Sequence, residues 1–284
     1  MSQRIVCWFS HGAASAVATK LAIEKNAGEK ELVVACIHLE DEHPDGARFA
    51  DECEEWFGRE ILYLRDTKYG ASVDRVIEKT RYMSGVNGAR CTKELKKQVR
   101  LDWQRHDDIH VFGMDCNEAD RVDNLIDGEP ELEIWAPLID KGYSKADCFD
   151  LITNVVQIEL PEMYRLGYHN NNCIGCVKAA GAGYWNKIRV DFPEVFWKRA
   201  KQEELLGVAL VKMSANKIAK NWPEVIERMI ADRFAPKITK DGRMRVPLRY
   251  LPPDAGDHKD LDIGACGFFC EKPETNNFKT LLTP

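Results

Sequence analysis

The chain lacks any apolar run approaching the ~20 residues that cross a bilayer, and no charged stretch followed by an apolar one opens it. A membrane span and a secretory leader are therefore not expected, and the predicted setting is the cytoplasm, with no membrane partner. Walker-type and complete Gly-X-Gly-X-X-Gly phosphate loops are missing, as are internal repeats and low-complexity tracts. Excess charge is also scarce. A formal net charge of −6 argues against a protein whose main task is to coat a polyphosphate backbone, although local basic patches stay open. What is present is 284 residues at 44% hydrophobic content, enough for one sizeable α/β domain with an appendage or for two modest domains.

Cysteine is plentiful. Ten of them without an expected leader read as reduced thiols, some of them ligands, rather than as a disulfide framework. Cys7 and Cys36 lie in apolar strand-like runs, and Cys53, Cys116 and Cys148 stand alone, so packing is the default for all five. Cys91, Cys173, Cys176, Cys266 and Cys270 remain as chemical candidates.

Short apolar runs alternate with amphipathic stretches through the first half, which predicts an α/β fold: a parallel sheet with helices on both faces. Strands are predicted over residues 4–9, 32–39, 61–64 and 109–112, and helices over 14–25, 47–57, 72–82 and 92–106. After Pro137 the strand signal fades. A helix over 144–158 with Ser144 as N-cap is predicted, then helices over 184–189 and 194–206 around Asp191-Phe192-Pro193, where Asp191 can cap and Pro193 can open the second. Helix dominates to about residue 233, and the rest is rich in Pro, Gly and charge. Three parts follow: a nucleotide-binding α/β domain over 1–165, a smaller, mainly helical region with a cysteine loop over 166–234, and a tail over 235–284 bearing Cys266 and Cys270.

Between the first strand and first helix runs Ser10-His11-Gly12-Ala13-Ala14-Ser15. Backbone N–H groups at a helix N-terminus stabilise an anion, Gly12 lets the backbone come close, and Ser10 and Ser15 offer hydroxyls. A plain tight turn would read the same way. His11, His38 and His43 stand near this loop, where a lone histidine is commonly just a satisfied polar group.

Several separated segments, in order, make the chain similar to the phosphoadenosine phosphosulfate reductase-like family of the adenine nucleotide α-hydrolase (PP-loop) superfamily. Ser10 to Val17 resembles its Ser-X-Gly-X-X-(Ala/Ser)-Ala-Val loop. His43-Pro44-Asp45 with Arg48-Phe49 resembles the loop after its second strand. Gly113 to Glu118 with Arg121 looks like its Gly-X-Arg-X-X-Glu...Arg segment, with Asp115 in the arginine position and Arg121 one residue early. Ala136 to Ile139, followed by the Ser144 helix, resembles the connection to its cysteine segment. The resemblance spans roughly residues 4–180 and implies an adenine nucleotide held by residues 10–15, Glu118 and Arg121. The related ATP pyrophosphatases carry Ser-Gly-Gly-X-Asp-Ser, and His11 and Ala14 depart from it, which counts against ATP splitting.

Asn172-Cys173-Ile174-Gly175-Cys176 is a CxxC in a Gly/Asn-rich loop, a spacing that lets two thiolates meet one metal or cluster. Cys91 falls at a predicted helix start, where the dipole favours thiolate. In assimilatory adenylylsulfate reductases of this family a Cys-Cys pair and a later CxxC hold a [4Fe-4S] cluster, and Arg90-Cys91 stands where that pair would fall. The implied ligands are Cys91, Cys173 and Cys176, with Cys270 as the fourth. Cys266 is the implied nucleophile, since Ala265-Cys266-Gly267 retains the Cys-Gly of the family's terminal Glu-Cys-Gly-(Leu/Ile)-His. The reverse assignment, a Cys266–Cys270 redox pair, a structural zinc site and a plain CxxC redox pair stay open. Lys93, Lys96, Lys97 and Arg100 form a basic face that is either solvated or, beside Cys91, phosphate-receiving. Trp185, Ile188, Phe192 and Phe196 read as helix packing rather than a base-stacking platform.

The resemblance implies a sulfonucleotide reductase-like oxidoreductase acting on an adenine sulfonucleotide, with a thiol or thioredoxin-type electron donor; a homo-oligomer is compatible with it. Two alternatives stand beside it. One is ATP-dependent adenylylation and sulfur transfer to a nucleic acid, and the other is a non-catalytic nucleotide-binding protein with a structural metal.

Overall fold

The structure is a computed structural model that describes residues 3–85, 88–257, 261 and 263. The chain runs β1 (Ile5–Trp8), α1 (Ala13–Asn26), β2 (Leu32–Ile37), α2 (Asp45–Phe57), β3 (Ile61–Leu64) and α3 (Val73–Thr80). A short pair, β4 (Ser84–Gly85) and β5 (Gly88–Ala89), precedes a π-helical turn, Thr92–Lys97, that leads into α4 (Gln98–Trp103). Then come β6 (Ile109–Val111), α5 (Ala119–Gly128), β7 (Glu133–Trp135), α6 (Pro137–Lys141) and α7 (Lys145–Asp150), which continues as a π-helical turn, Leu151–Val156. The remainder is α8 (Glu162–Arg165), α9 (Ala182–Asp191), α10 (Pro193–Leu206), β8 (Val211–Ser214), α11 (Ala215–Asn221), α12 (Pro223–Ala231) and β9 (Arg243–Val246).

Five strands form one sheet in the order β3-β2-β1-β6-β7, and every pairing in it is parallel. All four residues of β1 are buried, as a central strand covered on both faces requires. Ile5 and Cys7 point into a cluster with Val17 and Ala22 of α1, Phe49 and Cys53 of α2, and Cys148 and Ile152. Val6 and Trp8 point the other way, into a cluster with Phe112 and Leu125, flanked by Val99 and Trp103. Alanine on α1 suits it to close packing: Ala13, Ala16, Ala18 and Ala22 are all buried. From β1 the chain builds outward through β2 and β3, then crosses to β6 on the opposite side. That reversal leaves a crevice beyond the C-terminal ends of β1 and β6, where open parallel sheets hold ligands.

A further cluster joins Leu39, Val76 and Leu95 to Cys173, Cys176, Trp185, Phe196 and Leu248, and so draws on both sides of the boundary expected near residue 165. Arg199 of α10, fully buried, ties the two sides by pairing with Asp41 and Asp74. Glu203, also buried, accepts backbone N–H groups from Leu210 and Leu248 at 2.6 Å each. Burial pushes its carboxyl up to about 8 against those two hydrogen bonds.

Five strands escape the sequence periodicity: the two-residue pair β4 and β5, the three-residue edge strand β7, and the four-residue pair β8 and β9, of which β8 lies inside a stretch expected to be helical. Such runs are too short for a period of two to stand out. Asp191 does not cap α10; its carboxylate accepts the Tyr168 hydroxyl at 2.9 Å and pairs with Lys187, while Pro193 does open that helix. Among the described residues no helix is long and apolar enough to cross a membrane.

Candidate functional site: a polar cavity beside a sulfur-lined pocket

A cavity of about 620 Å³ opens at the crevice between β1 and β6. One wall is the loop after β1, with Ser10, Gly12, Ala14 and Ser15; a second is the loop after β6, with Gly113, Asp115 and Glu118; a third is the segment 164–172. The first two touch so closely that only glycine fits at 113: a Cβ there would lie 2.4 Å from Ser15 Cα and 2.5 Å from its nitrogen. Lys96 and Lys145 bring positive charge to the lining.

Inside the loop the serines serve the backbone first. Ser15 Oγ donates to Gly12 O at 2.8 Å and accepts the Ser10 N–H at 3.1 Å, and Ser10 Oγ donates to Ser15 Oγ at 3.2 Å. No side chain caps α1 at Gly12, which leaves the helix N-terminus facing the cavity through Ala14 and Ser15. The Tyr164 hydroxyl stands against the start of this helix, 3.3 Å from where a Cβ on Gly12 would lie. Burial pushes the Tyr164 phenol up to about 12, so it stays protonated.

His11 belongs to the loop by its backbone only. Its φ of 55° is left-handed, and the ring turns into the protein, with Nδ1 3.2 Å from Glu42 Oε2 and Nε2 3.4 Å from Cys36 Sγ. Burial pulls the imidazole down, but the bonds to Cys36 and Glu42 outweigh it and lift the pKa to about 10. Glu42 in turn lies 3.5 Å from Lys96 Nζ. Burial would raise its carboxyl, yet Lys96 and His11 together hold it below the ordinary range. Arg121, expected at the nucleotide, forms an ion pair with Glu118, and only Glu118 reaches the lining. Of the basic face, Lys97 and Arg100 both turn to Glu129, which leaves Lys96 at the cavity.

Cys91, Cys173 and Cys176 line one small pocket of about 10 Å³, roughly the room of a single water. Cys91 stands immediately before the π-helical turn, and Cys173 and Cys176 are buried on the facing loop. Gly175 lets that loop turn: its φ is +65°, and a Cβ would meet Val195 Cγ1 at 2.5 Å. The loop is clamped by Ile174 N–H to Asp41 O at 2.9 Å, by Arg199 Nε–H to Gly175 O at 3.3 Å, and by Cys176 N–H to Tyr184 Oη at 2.9 Å. Among the described residues no three His, Cys, Asp or Glu side chains are gathered as a metal-holding group. The residue types nevertheless fit a thiolate-bound centre, because three cysteines line one pocket whose wall also carries Lys96 and Arg199. Cys266 and Cys270 lie outside the described residues.

Lys96 is on the wall of both pockets. The chain links them as well: Asn172 lines the cavity and Cys173 the sulfur pocket. Sequence reasoning missed Lys145, Tyr164 and Asn171, whose only local signal is the Ser144 cap just ahead of Lys145. No protein-family model matches this chain, and no curated protein matches it either.

Proposed function

We propose that the chain is a sulfonucleotide reductase-like oxidoreductase of the adenine nucleotide α-hydrolase type. It binds an adenine sulfonucleotide in the 620 Å³ cavity and holds a [4Fe-4S] cluster on Cys91, Cys173, Cys176 and a tail thiol, Cys270. One observation carries this reading: an anion-suited cavity and a pocket lined by three cysteines share a lysine wall. The N-terminus of α1, Lys96 and Lys145 take the phosphosulfate end. When bound, the cluster supplies an electron-delocalised centre next to the substrate. Lys96, fixed by Glu42, compensates negative charge on the cavity side.

The covalent step belongs to Cys266. Its thiolate attacks the sulfur of adenosine 5′-phosphosulfate; a sulfur–sulfur bond forms, the sulfur–oxygen bond to phosphate breaks, and the electron pair leaves with AMP. A dithiol donor of thioredoxin type then releases sulfite and is oxidised to its disulfide. The test is single turnover of protein purified without oxygen, offered adenosine 5′-phosphosulfate, its 3′-phosphorylated form or ATP in turn. With a dithiol present, sulfite is expected together with AMP from adenosine 5′-phosphosulfate, or with adenosine 3′,5′-bisphosphate from its 3′-phosphorylated form, and Cys266→Ser should lose both products. Pyrophosphate from ATP without sulfite from either sulfonucleotide would replace this reading with adenylylation and sulfur transfer. Binding without any turnover would replace it with a non-catalytic nucleotide-binding role.

A further inference from the structure

The His11 ring belongs to a side-chain group that lines neither pocket. It lies between the Cys36 sulfur, 3.4 Å from Nε2, and the Glu42 carboxylate, 3.2 Å from Nδ1. Thiol, imidazole and carboxylate therefore stand in the order by which a histidine activates a cysteine and an acid orients the histidine. Burial alone would strip the ring of its extra proton, but the bonds to Cys36 and Glu42 keep it charged at neutral pH, so both nitrogens donate. The ring has no slack. A Cβ on Gly46 of α2 would lie 3.2 Å from Nδ1, and Phe9 meets the ring edge-on at 5.4 Å between centroids. Tyr63, which pairs in register with Cys36 from the edge strand β3, is 46% exposed and its ring lies 6.2 Å from that of His11, so the group sits close beneath the surface. Among the described residues no histidine bonds Cys7, Cys53 or Cys148 of the same apolar cluster, and burial pushes their thiols up, that of Cys148 to about 12.

We infer that Cys36, His11 and Glu42 form a peroxide-reactive thiol site whose oxidation reshapes the loop after β1. The Cys36 thiolate attacks one oxygen of hydrogen peroxide; a sulfur–oxygen bond forms and the oxygen–oxygen bond breaks. The leaving hydroxide takes the proton from His11 Nε2 and departs as water, so the sulfur is oxidised to a sulfenic acid and the peroxide is reduced. Glu42 keeps the Nδ1 proton in place and orients the ring throughout. The added oxygen enters a gap of 3.4 Å that has no room for it, and His11 must move aside. Its left-handed φ of 55°, costly for a residue with a Cβ, is then no longer held by the bonds of the ring, and residues 10–15 rearrange.

The full chain, purified without oxygen, is exposed to hydrogen peroxide, quenched with catalase, unfolded into dimedone to trap sulfenic acid, and mapped by mass spectrometry. Cys36 should be oxidised at least about 100-fold faster than Cys7, Cys53 or Cys148, the lower end of what a positioned acid contributes. His11→Asn, which tolerates the left-handed backbone but withdraws the ring, should bring Cys36 down to the rate of the other three. Amide exchange over residues 10–16 should quicken in the oxidised protein, whereas Cys36→Ser given the same peroxide should show no change there. No nucleotide enters the experiment, and its outcome does not depend on the reductase reading. Cys36 oxidised no faster than Cys7 and Cys53 in the unaltered protein would overturn the site whether or not either variant folds, as would an undiminished rate in folded His11→Asn. Loop exchange that quickens equally in Cys36→Ser would overturn the link from thiol to loop.

Discussion

The polar cavity and the sulfur pocket are built in opposite ways. The cavity, about 620 Å³, is shaped by backbone: a helix N-terminus, a glycine that admits no Cβ, and loops at the ends of two parallel strands. The pocket, about 10 Å³, is shaped by side chains, with Cys91, Cys173 and Cys176 on its wall beside a hydrophobic cluster. A backbone-built site tolerates substitution unless the new atom collides or carries the wrong charge. A side-chain-built site is lost with any one of its donors.

The sharpest break of that contrast is in the pocket. Cys173→Ser or Cys176→Ser should remove essentially all iron and acid-labile sulfide from protein purified without oxygen, since metal binding and local folding are coupled. Iron and sulfide assays on the three proteins check this, and colourless protein with stoichiometric zinc would overturn the cluster assignment. In the cavity, Gly113→Ala should cost about 2–3 kcal/mol of stability, in the range of overpacking, because the new methyl meets the backbone of Ser15 rather than a movable side chain. Chemical denaturation measures it. Gly12→Asp acts through charge at the same cavity: AMP affinity should fall about 100-fold, near 2.7 kcal/mol. Gly12 has an ordinary φ of −102°, and aspartate is a favoured N-cap, but its carboxylate takes the place of the anion. Calorimetry that finds unchanged affinity would reduce the loop to a turn.

The smallest effect sits on the bridge between the sites. The His11 imidazole is lifted to about 10 in the folded chain, above its ordinary value of about 6.5. A raised pKa means that the protonated form stabilises the fold fully below about 6.5 and that this contribution is lost as pH rises through about 10. Melting temperature should therefore decline across that window, and Glu42→Gln should flatten the decline by removing one of the two partners. Parallel melting curves for the two proteins would contradict the pairing.

Much of the framework was legible before any coordinates. β1, β2, β3 and β6 declare themselves as short apolar runs, α1 by its alanines and α2 by its apolar period, and the loop Ser10–Ser15 is what lies between β1 and α1. The gathering of Cys91 with Cys173 and Cys176 followed from resemblance, because no local pattern brings residue 91 beside residue 173. The inward turn of His11 was hidden, since a left-handed φ at a non-glycine position leaves no mark in composition. Hidden too was the third wall of the cavity. Tyr164 and Asn171 reach the loop after β1 only through tertiary folding, which has no sequence period.

The central claim is that the two pockets form one working unit, and a single titration tests it most directly. AMP is added to protein purified without oxygen while the visible absorption expected of the proposed iron–sulfur centre and the heat of binding are followed on the same sample. The account expects a chromophore that shifts on AMP addition and saturates with the affinity seen by calorimetry. AMP that binds with full heat and leaves the chromophore unmoved would show two neighbouring sites with nothing passing between them, contrary to the account.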